Sequence, residues 1–295
     1  MVEAGFSRSR IDCWLRNGRL IKVVRGVYSY GRDVETREAV WRASLVAAGP
    51  GSILTGRSAC EAWGIIQARD TVPAQVEVAT TTGCTRTLHG ASPALRRIRI
   101  NIRKRQFDRS DVRQKGGVEL ASPVLALIEF AAEASERGVR FAFLEACRLN
   151  LFNRRDVRDC HDRLEGRRGA GKLKPLLALW VPQLGRIRSV LEGRILLGLI
   201  ECRLPLPEVN VKVGGYEVDF FWQKYGVVLE ADGETYHSDP PQRAIDAAKQ
   251  RDLEQRGLEV MRVTSRQFDR NSDAVLDEVA HKLRSRGADS GLVGK

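Results

Sequence analysis

No stretch of this 295-residue chain approaches the ~18 uncharged apolar residues that a membrane-spanning helix requires, so no transmembrane segment is expected. The opening MVEAGFSRSR has no apolar run behind its charges, which argues against a secretory signal. Six cysteines, Cys13, Cys60, Cys84, Cys147, Cys160 and Cys202, form no CxxC pair. That spacing fits reduced thiols and a cytoplasmic location better than a disulfide scaffold or a zinc ribbon. Collagen-like, coiled-coil and membrane classes are excluded with them. What is left is an ordinary globular composition, 43% hydrophobic and 29% charged, long enough for two domains.

The charge is the first informative property. Lys and Arg exceed Asp and Glu by 12, with an isoelectric point near 9.8, which points to a polyanion. Residues 1–118 hold 21 basic and 10 acidic side chains, residues 119–185 hold 11 and 9, and residues 186–295 hold 17 and 18. A uniformly arginine-rich composition would not leave the last third slightly acidic. The expected partner is a polyanion held by the first part of the chain, with a nucleoid-associated location where that polyanion is DNA.

The pattern suggests four regions. In the first, residues 1–66, Ser7 can cap a helix carrying Ile11, Trp14 and Leu15 on one face, stopped at Asn17-Gly18. LIKVVRGVYSY then gives two β-rich runs around Arg25-Gly26, a hairpin or wing. The run NGRLIKVVRGVYSY followed by VAAGPGSILTGRSACEAWGI resembles the N-terminal winged-helix region of AbiEi-type abortive-infection antitoxins. That resemblance implies DNA or protein docking without chemistry; the basic residues Arg8, Arg19, Lys22 and Arg25 are the candidate DNA contacts of this region. The second region, 67–118, is β-rich and basic. Arg97, Arg99, Arg103 and Arg105 share one parity, so a strand there aligns them either as a solvated edge or as phosphate contacts. Residues 119–185 read as an amphipathic helical connector, and 186–290 as the region with chemistry.

From residue 186 the order is helix, three strands, helix, strand, helix. VNVKV and YEVDFFW flank Gly214-Gly215, a hairpin turn, and GVVLEADG reads as a central strand covered on both faces. Carboxylates interrupt this apolar frame. Asp219 lies in one strand, while Glu230 and Asp232 sit two apart on the next and share a face. Glu192 falls on the buried face of the preceding helix, with Ile195, Leu196 and Leu199 at i+3, i+4 and i+7. Unpaired carboxylates in a core repel one another and lose hydration, and a divalent cation resolves both costs. The structural alternatives are a Glu192–Arg188 pair and an Asp232-Gly233 turn.

The string VDFFWQKYGVVLEADGETYHSD followed by KQRDLEQRGLEVMRVT resembles the PD-(D/E)XK nuclease superfamily, nearest to its very short patch repair endonucleases. The resemblance implies an α/β, restriction-endonuclease-like mixed sheet flanked by helices. It also implies Mg²⁺ or Mn²⁺ as cofactor and phosphodiester hydrolysis in DNA. By the same resemblance, Asp219 matches the main metal-binding aspartate, Glu230 the glutamate of E-x-K, Glu192 the acid of the N-terminal helix, and His237 the histidine near the scissile phosphate. A neutral His237 can orient or deprotonate the water or protonate the leaving oxygen.

Two departures matter. Asp232 fills the lysine slot, so either it is a further ligand or base, or Lys249 or Arg251 from the next helix supplies the cation. In a helix beginning near Pro241, Ile245, Lys249 and Leu253 fall at successive i+4 steps, placing Lys249 on the stripe toward the sheet. The zinc cysteines of very short patch repair enzymes are missing, so mismatch specificity does not carry over. The leading expectation is a metal-dependent DNA endonuclease of repair or phage defence. The alternatives are a catalytically degenerate DNA-binding regulator of antitoxin or repressor type and a nuclease for RNA.

Overall fold

Ser7 accepts the Arg10 N–H and starts α1 (Arg8–Arg16), which buries Ile11 and stops where Gly18 takes a left-handed φ of 74°. The hairpin follows as β1 (Leu20–Val24) and β2 (Val27–Tyr30), paired antiparallel around Arg25-Gly26. Thr36 caps α2 (Arg37–Ala48). These belong to a computed structural model that describes residues 6–68, 70–233 and 240–288. The chain is α/β with mixed sheets and divides into two compact units, Met1–Ala142 with Arg158–Lys174, and Phe143–Val157 with Pro175–Lys295.

The first unit contains a six-stranded sheet of β3 (Ser52–Leu54), β4 (Gln75–Thr80), β5 (Arg86–His89), β6 (Arg99–Lys104), β7 (Val112–Lys115) and β8 (Val118–Ala121). Their order is β5-β6-β4-β3-β8-β7, with β4–β6 and β3–β8 parallel. β3 lies inside the expected winged-helix region yet pairs with strands of the next, so residues 52–121 form one sheet. α3 (Gly56–Trp63) packs on α4 (Pro123–Glu133), which Ser122 caps and Pro123 opens. The apolar side of α4, including Leu125, Leu127 and Ile128, is buried. Three further helices follow, α5 (Glu136–Arg148), α6 (Arg154–Arg163) and α7 (Ala170–Ala178). Arg163 closes a two-pronged pair on buried Asp111, at 2.7 and 2.9 Å.

In the second unit Ser189 caps α8 (Val190–Glu201), and Gly214-Gly215 joins β9 (Glu208–Val213) to β10 (Tyr216–Trp222). β11 (Val227–Asp232) connects through α9 (Pro240–Gln255) to β12 (Glu259–Thr264), its parallel neighbour. The sheet order is β12-β11-β10-β9, with the other two pairings antiparallel. Val227, Val228 and Leu229 are fully buried, as a strand flanked on both sides demands. α10 (Ser265–Arg270) and α11 (Ser272–Ser285) close the unit. A Cβ on Gly198 would meet Leu276 at 2.8 Å, so α8 and α11 approach closely only because that residue has no side chain.

Candidate active site

The β10–β11 ladder pairs Phe220 with Leu229, Phe221 with Val228 and Trp222 with Val227. Beyond Phe220 the side chain of Asp219 takes over, its Oδ2 accepting the Ala231 N–H at 2.7 Å. This fixes the Asp219 carboxylate beside Glu230, at the carboxyl end of β11. Burial, reinforced by the charges of Glu230 and Glu192, raises the Asp219 pKa to about 6, while the Ala231 N–H and Lys249 oppose the rise.

Glu230 is 8% exposed, and its Oε1 accepts no hydrogen bond among the described residues. The Lys249 ammonium, from α9, lies 2.6 Å from that oxygen, off the hydrogen-bond direction, and donates to the Glu217 carbonyl at 2.5 Å. One helical turn later Leu253 is fully buried against Val228 and Val218. The stripe therefore holds at Lys249 and Leu253 but not at Ile245, which is 59% exposed, contrary to expectation. Arg251 is exposed and donates to Ala247 on its own helix, away from these carboxylates.

Glu192 occupies the first turn of α8 and is 4% exposed. Its Oε2 accepts the Arg188 N–H at 2.9 Å and the Asn210 amide at 2.7 Å. The structural pairing with Arg188 thus runs through the backbone, while the Arg188 guanidinium pairs with Glu217 at 2.5 Å. Asn210 was not singled out from sequence. It stands in β9 with a left-handed φ of 52°, a conformation asparagine tolerates better than most residues, and it also donates to the Arg186 carbonyl.

Asp232 points to a different cation. Arg262 of β12 lies 3.9 Å from its Oδ2. Burial raises the Asp232 pKa, Arg262 lowers it, and Asp246 raises it further. Arg262 is a second residue that sequence reasoning missed, because its relation to Asp232 depends on the parallel register of β11 and β12. His237 lies outside the described residues.

A nuclease-type site implies a divalent cation, and the donors present fit one of the magnesium kind. That ion needs only one or two carboxylates, with water and phosphate as its other ligands. Asp219 and Glu230 supply them; Glu230 Oε1 is a buried oxygen without a hydrogen bond, and the Lys249 ammonium stands 2.6 Å from it. Among the described residues no three His, Cys, Asp or Glu side chains converge as a ligand set. Glu192, expected as a third ligand, accepts hydrogen bonds from Arg188 and Asn210 through Oε2.

Among the candidate DNA contacts of the first unit, Arg8, Arg19, Lys22, Arg25, Arg97, Arg99 and Arg105 are exposed and Arg103 is partly buried. β6 is flanked by β5 and β4, so the solvated-edge alternative does not hold for Arg99 and Arg103. Ile100 and Ile102 face the core and Arg99 faces out. Arg103 pairs with Glu133 at 2.8 Å, and Arg105 stands 3.9 Å from Glu129, both acids on α4.

Residues 205–283 match the model of a restriction endonuclease-like family, REase_MTES_1575. The match supports a restriction-endonuclease-like C-terminal domain, and that likeness suggests a nuclease-type function. Two proteins of Mycobacterium tuberculosis are similar over nearly the whole chain: the uncharacterized proteins MT2308 of strain CDC 1551 and Rv2248 of strain H37Rv. Each is 22% identical over 283 residues, covering 94% of this chain and 97% of the relative. No solved structure matches the chain.

Proposed function

We propose that the protein is a metal-dependent DNA endonuclease acting in repair or phage defence, with the cutting site in the second unit and backbone affinity in the first. The observation that carries this reading is the convergence of Asp219, Glu230 and Lys249 inside the restriction-endonuclease-like region, with the lysine 2.6 Å from Glu230. Asp219 and Glu230 would hold Mg²⁺ or Mn²⁺, which when bound polarises a phosphoryl oxygen and lowers the pKa of its water. Lys249 brings from α9 the positive charge that the resemblance places at position 232. Asn210 and the Arg188 N–H hold Glu192 in one orientation, so its charge acts on Asp219 through a fixed distance. The role of His237, to orient or deprotonate the water, rests on its place in the sequence.

The affinity assigned to Arg8, Arg19, Lys22, Arg25, Arg97, Arg99, Arg103 and Arg105 follows from charge. A carboxylate-rich site repels a phosphate backbone, and a basic partner unit offsets that repulsion. A second reading, a catalytically silent DNA-binding regulator, is favoured by the Asp232–Arg262 pair in place of the strand lysine. The test is incubation of supercoiled plasmid with the full chain in Mg²⁺ or Mn²⁺ and in EDTA, beside Asp219→Asn. Metal-dependent nicking or linearisation that the variant lacks supports the nuclease. Intact plasmid under every metal condition, with DNA still bound, selects the regulator.

A further inference from the structure

The first unit has a second concentration of positive charge that the DNA-contact residues above only touch. A pocket of about 340 Å³ opens between the end of β6 and the turn joining α6 to α7. Arg105, Gln106, Arg167 and Arg168 line it, with Glu129 on one side and Ile128 as apolar floor. Three arginines and one carboxylate thus line the pocket. Glu129 is shared between two of them, 3.9 Å from Arg105 Nε and 3.5 Å from Arg167 Nη1. One carboxylate shared between two arginines offsets at most one of the three positive charges, so the pocket keeps a surplus of guanidinium. Arg168 is exposed and makes no ion pair among the described residues.

The turn that carries two of these arginines is fixed in place. Gly169 has a φ of 90°, and a Cβ there would lie 2.5–2.6 Å from the backbone of Ala131 and Ala132, so the turn rests directly on α4. Lys172 ties it down further, donating to the Ala131 and Ala134 carbonyls at 3.2 and 2.6 Å. The guanidiniums consequently project from an anchored turn, which lowers the entropy lost when they clasp a ligand.

We propose that Arg105, Arg167 and Arg168 form a subsite for a phosphate group, and that the phosphate belongs to a nucleic-acid backbone. Arginine presents a planar fork of donors that matches phosphate oxygens, and a surplus of guanidinium over carboxylate is the charge balance such a group requires. The sequence spells Gly166-x₄-Gly171-Lys172, the spacing of a nucleotide phosphate loop. Here, however, it follows a helix rather than a strand, Leu173 takes the hydroxyl position, and the lysine caps α4. Those three features favour the polymer backbone over a free nucleotide. The proposal rests on DNA being the substrate and adds residues 167 and 168, in a segment read above as a helical connector, to the surface that holds it.

The test uses the full chain, a fluorescein-labelled 20-base-pair duplex and anisotropy in EDTA, so that no cutting occurs, across 50–200 mM KCl. Arg167→Gln/Arg168→Gln should bind about tenfold more weakly, and its salt slope should fall by about 1, one phosphate fewer. Glu129→Gln, which removes the internal counter-charge, should bind more tightly than wild type. Unchanged affinity and slope in the double variant, or weaker binding in Glu129→Gln, overturns the subsite. A parallel arm compares inorganic phosphate with chloride at matched ionic strength. Displacement of DNA by phosphate well beyond chloride, with the double variant still binding DNA normally, would assign the pocket to free phosphate and overturn the proposal. The plasmid assay separates the two readings: a chain that binds through these arginines but never cuts keeps the subsite and loses the nuclease.

Discussion

Asp219→Asn should make the metal-free protein more stable while removing its activity. A carboxyl whose folded pKa lies above its unfolded value binds a proton more tightly in the native state. Its ionisation therefore costs stability as the pH rises through that window and costs most above the folded value. For Asp219 the window runs from 3.8 to about 6. At ~1.4 kcal/mol per unit this amounts to about 3 kcal/mol, which solvent screening of a half-buried group reduces to about 1–2. Asparagine carries no charge and keeps an oxygen for the Ala231 N–H. Calorimetry in EDTA at pH 7.5 should show the transition of the second unit raised by about 2–6 °C. At pH 5 the gain should be about half as large, because wild type is then mostly protonated. Added Mn²⁺ should narrow the difference, since an ion stabilises the wild-type carboxylate by mass action and the amide far less. A variant that melts at or below the wild-type temperature at pH 7.5 in EDTA would refute the claim that burial and neighbouring acids strain this carboxylate.

Lys249→Met should lower turnover at least tenfold, about 1.4 kcal/mol of barrier, with DNA affinity nearly unchanged; single-turnover cleavage and anisotropy measure the two separately. Exchanging Arg8, Arg19, Lys22 and Arg25 together for Gln should reduce the salt slope of DNA binding by up to about 3–4, and an unaltered slope removes the hairpin from the DNA-binding surface. Phe220→Ala, at a fully buried position of β10, should cost about 3–5 kcal/mol in urea unfolding of the second unit. Glu77, whose pKa burial raises to about 7, adds a separate pH effect. Glu77→Gln should stabilise the first unit above pH 7 and make little difference at pH 5, as followed by thermal melts.

The elements most legible in the sequence were those with a long period and a punctuated end. The alternation and Gly-Gly turn of β9–β10, the uninterrupted apolar run of β11 and the Ser7 and Asn17-Gly18 boundaries of α1 each have one local cause, and the structure places elements there. β3 escaped because three residues carry no periodicity; its strand character comes from pairing with β4 and β8. α10 is also short, although Thr264 and Gln267, a capping box, were a usable signal. At the site, Asp219 and Glu230 were readable as carboxylates in apolar strands. Asn210 and Arg262 were not, since a polar residue in a strand declares its partner only once register is known. The same limit hid Glu133 and Glu129, the α4 acids that engage Arg103 and Arg105.

The charges around the end of β11 explain how an aspartate is tolerated where the resemblance expects lysine. In register, Glu230 lies beside Arg262, and Asp232 beside Thr264. Yet the guanidinium of Arg262 reaches along the sheet to Asp232, and Glu230 is met from above by Lys249. Two acids on one strand are thus answered by one cation from the neighbouring strand and one from the crossover helix. Placing lysine at 232 instead would remove the acid that Arg262 faces and add a third cation beside Arg262 and Lys249. Asp232 and Arg262 therefore pair with one another, and Lys249 of α9 is the cation among the described residues that stands against Glu230. Restoring lysine at 232 alone should accordingly fail to raise activity, whereas Asp232→Lys combined with Lys249→Met and Arg262→Met should recover part of what Lys249→Met loses. Cleavage rates of the single, double and triple variants at saturating Mn²⁺ decide this. A single Asp232→Lys variant faster than wild type would show that Arg262 does not constrain the slot.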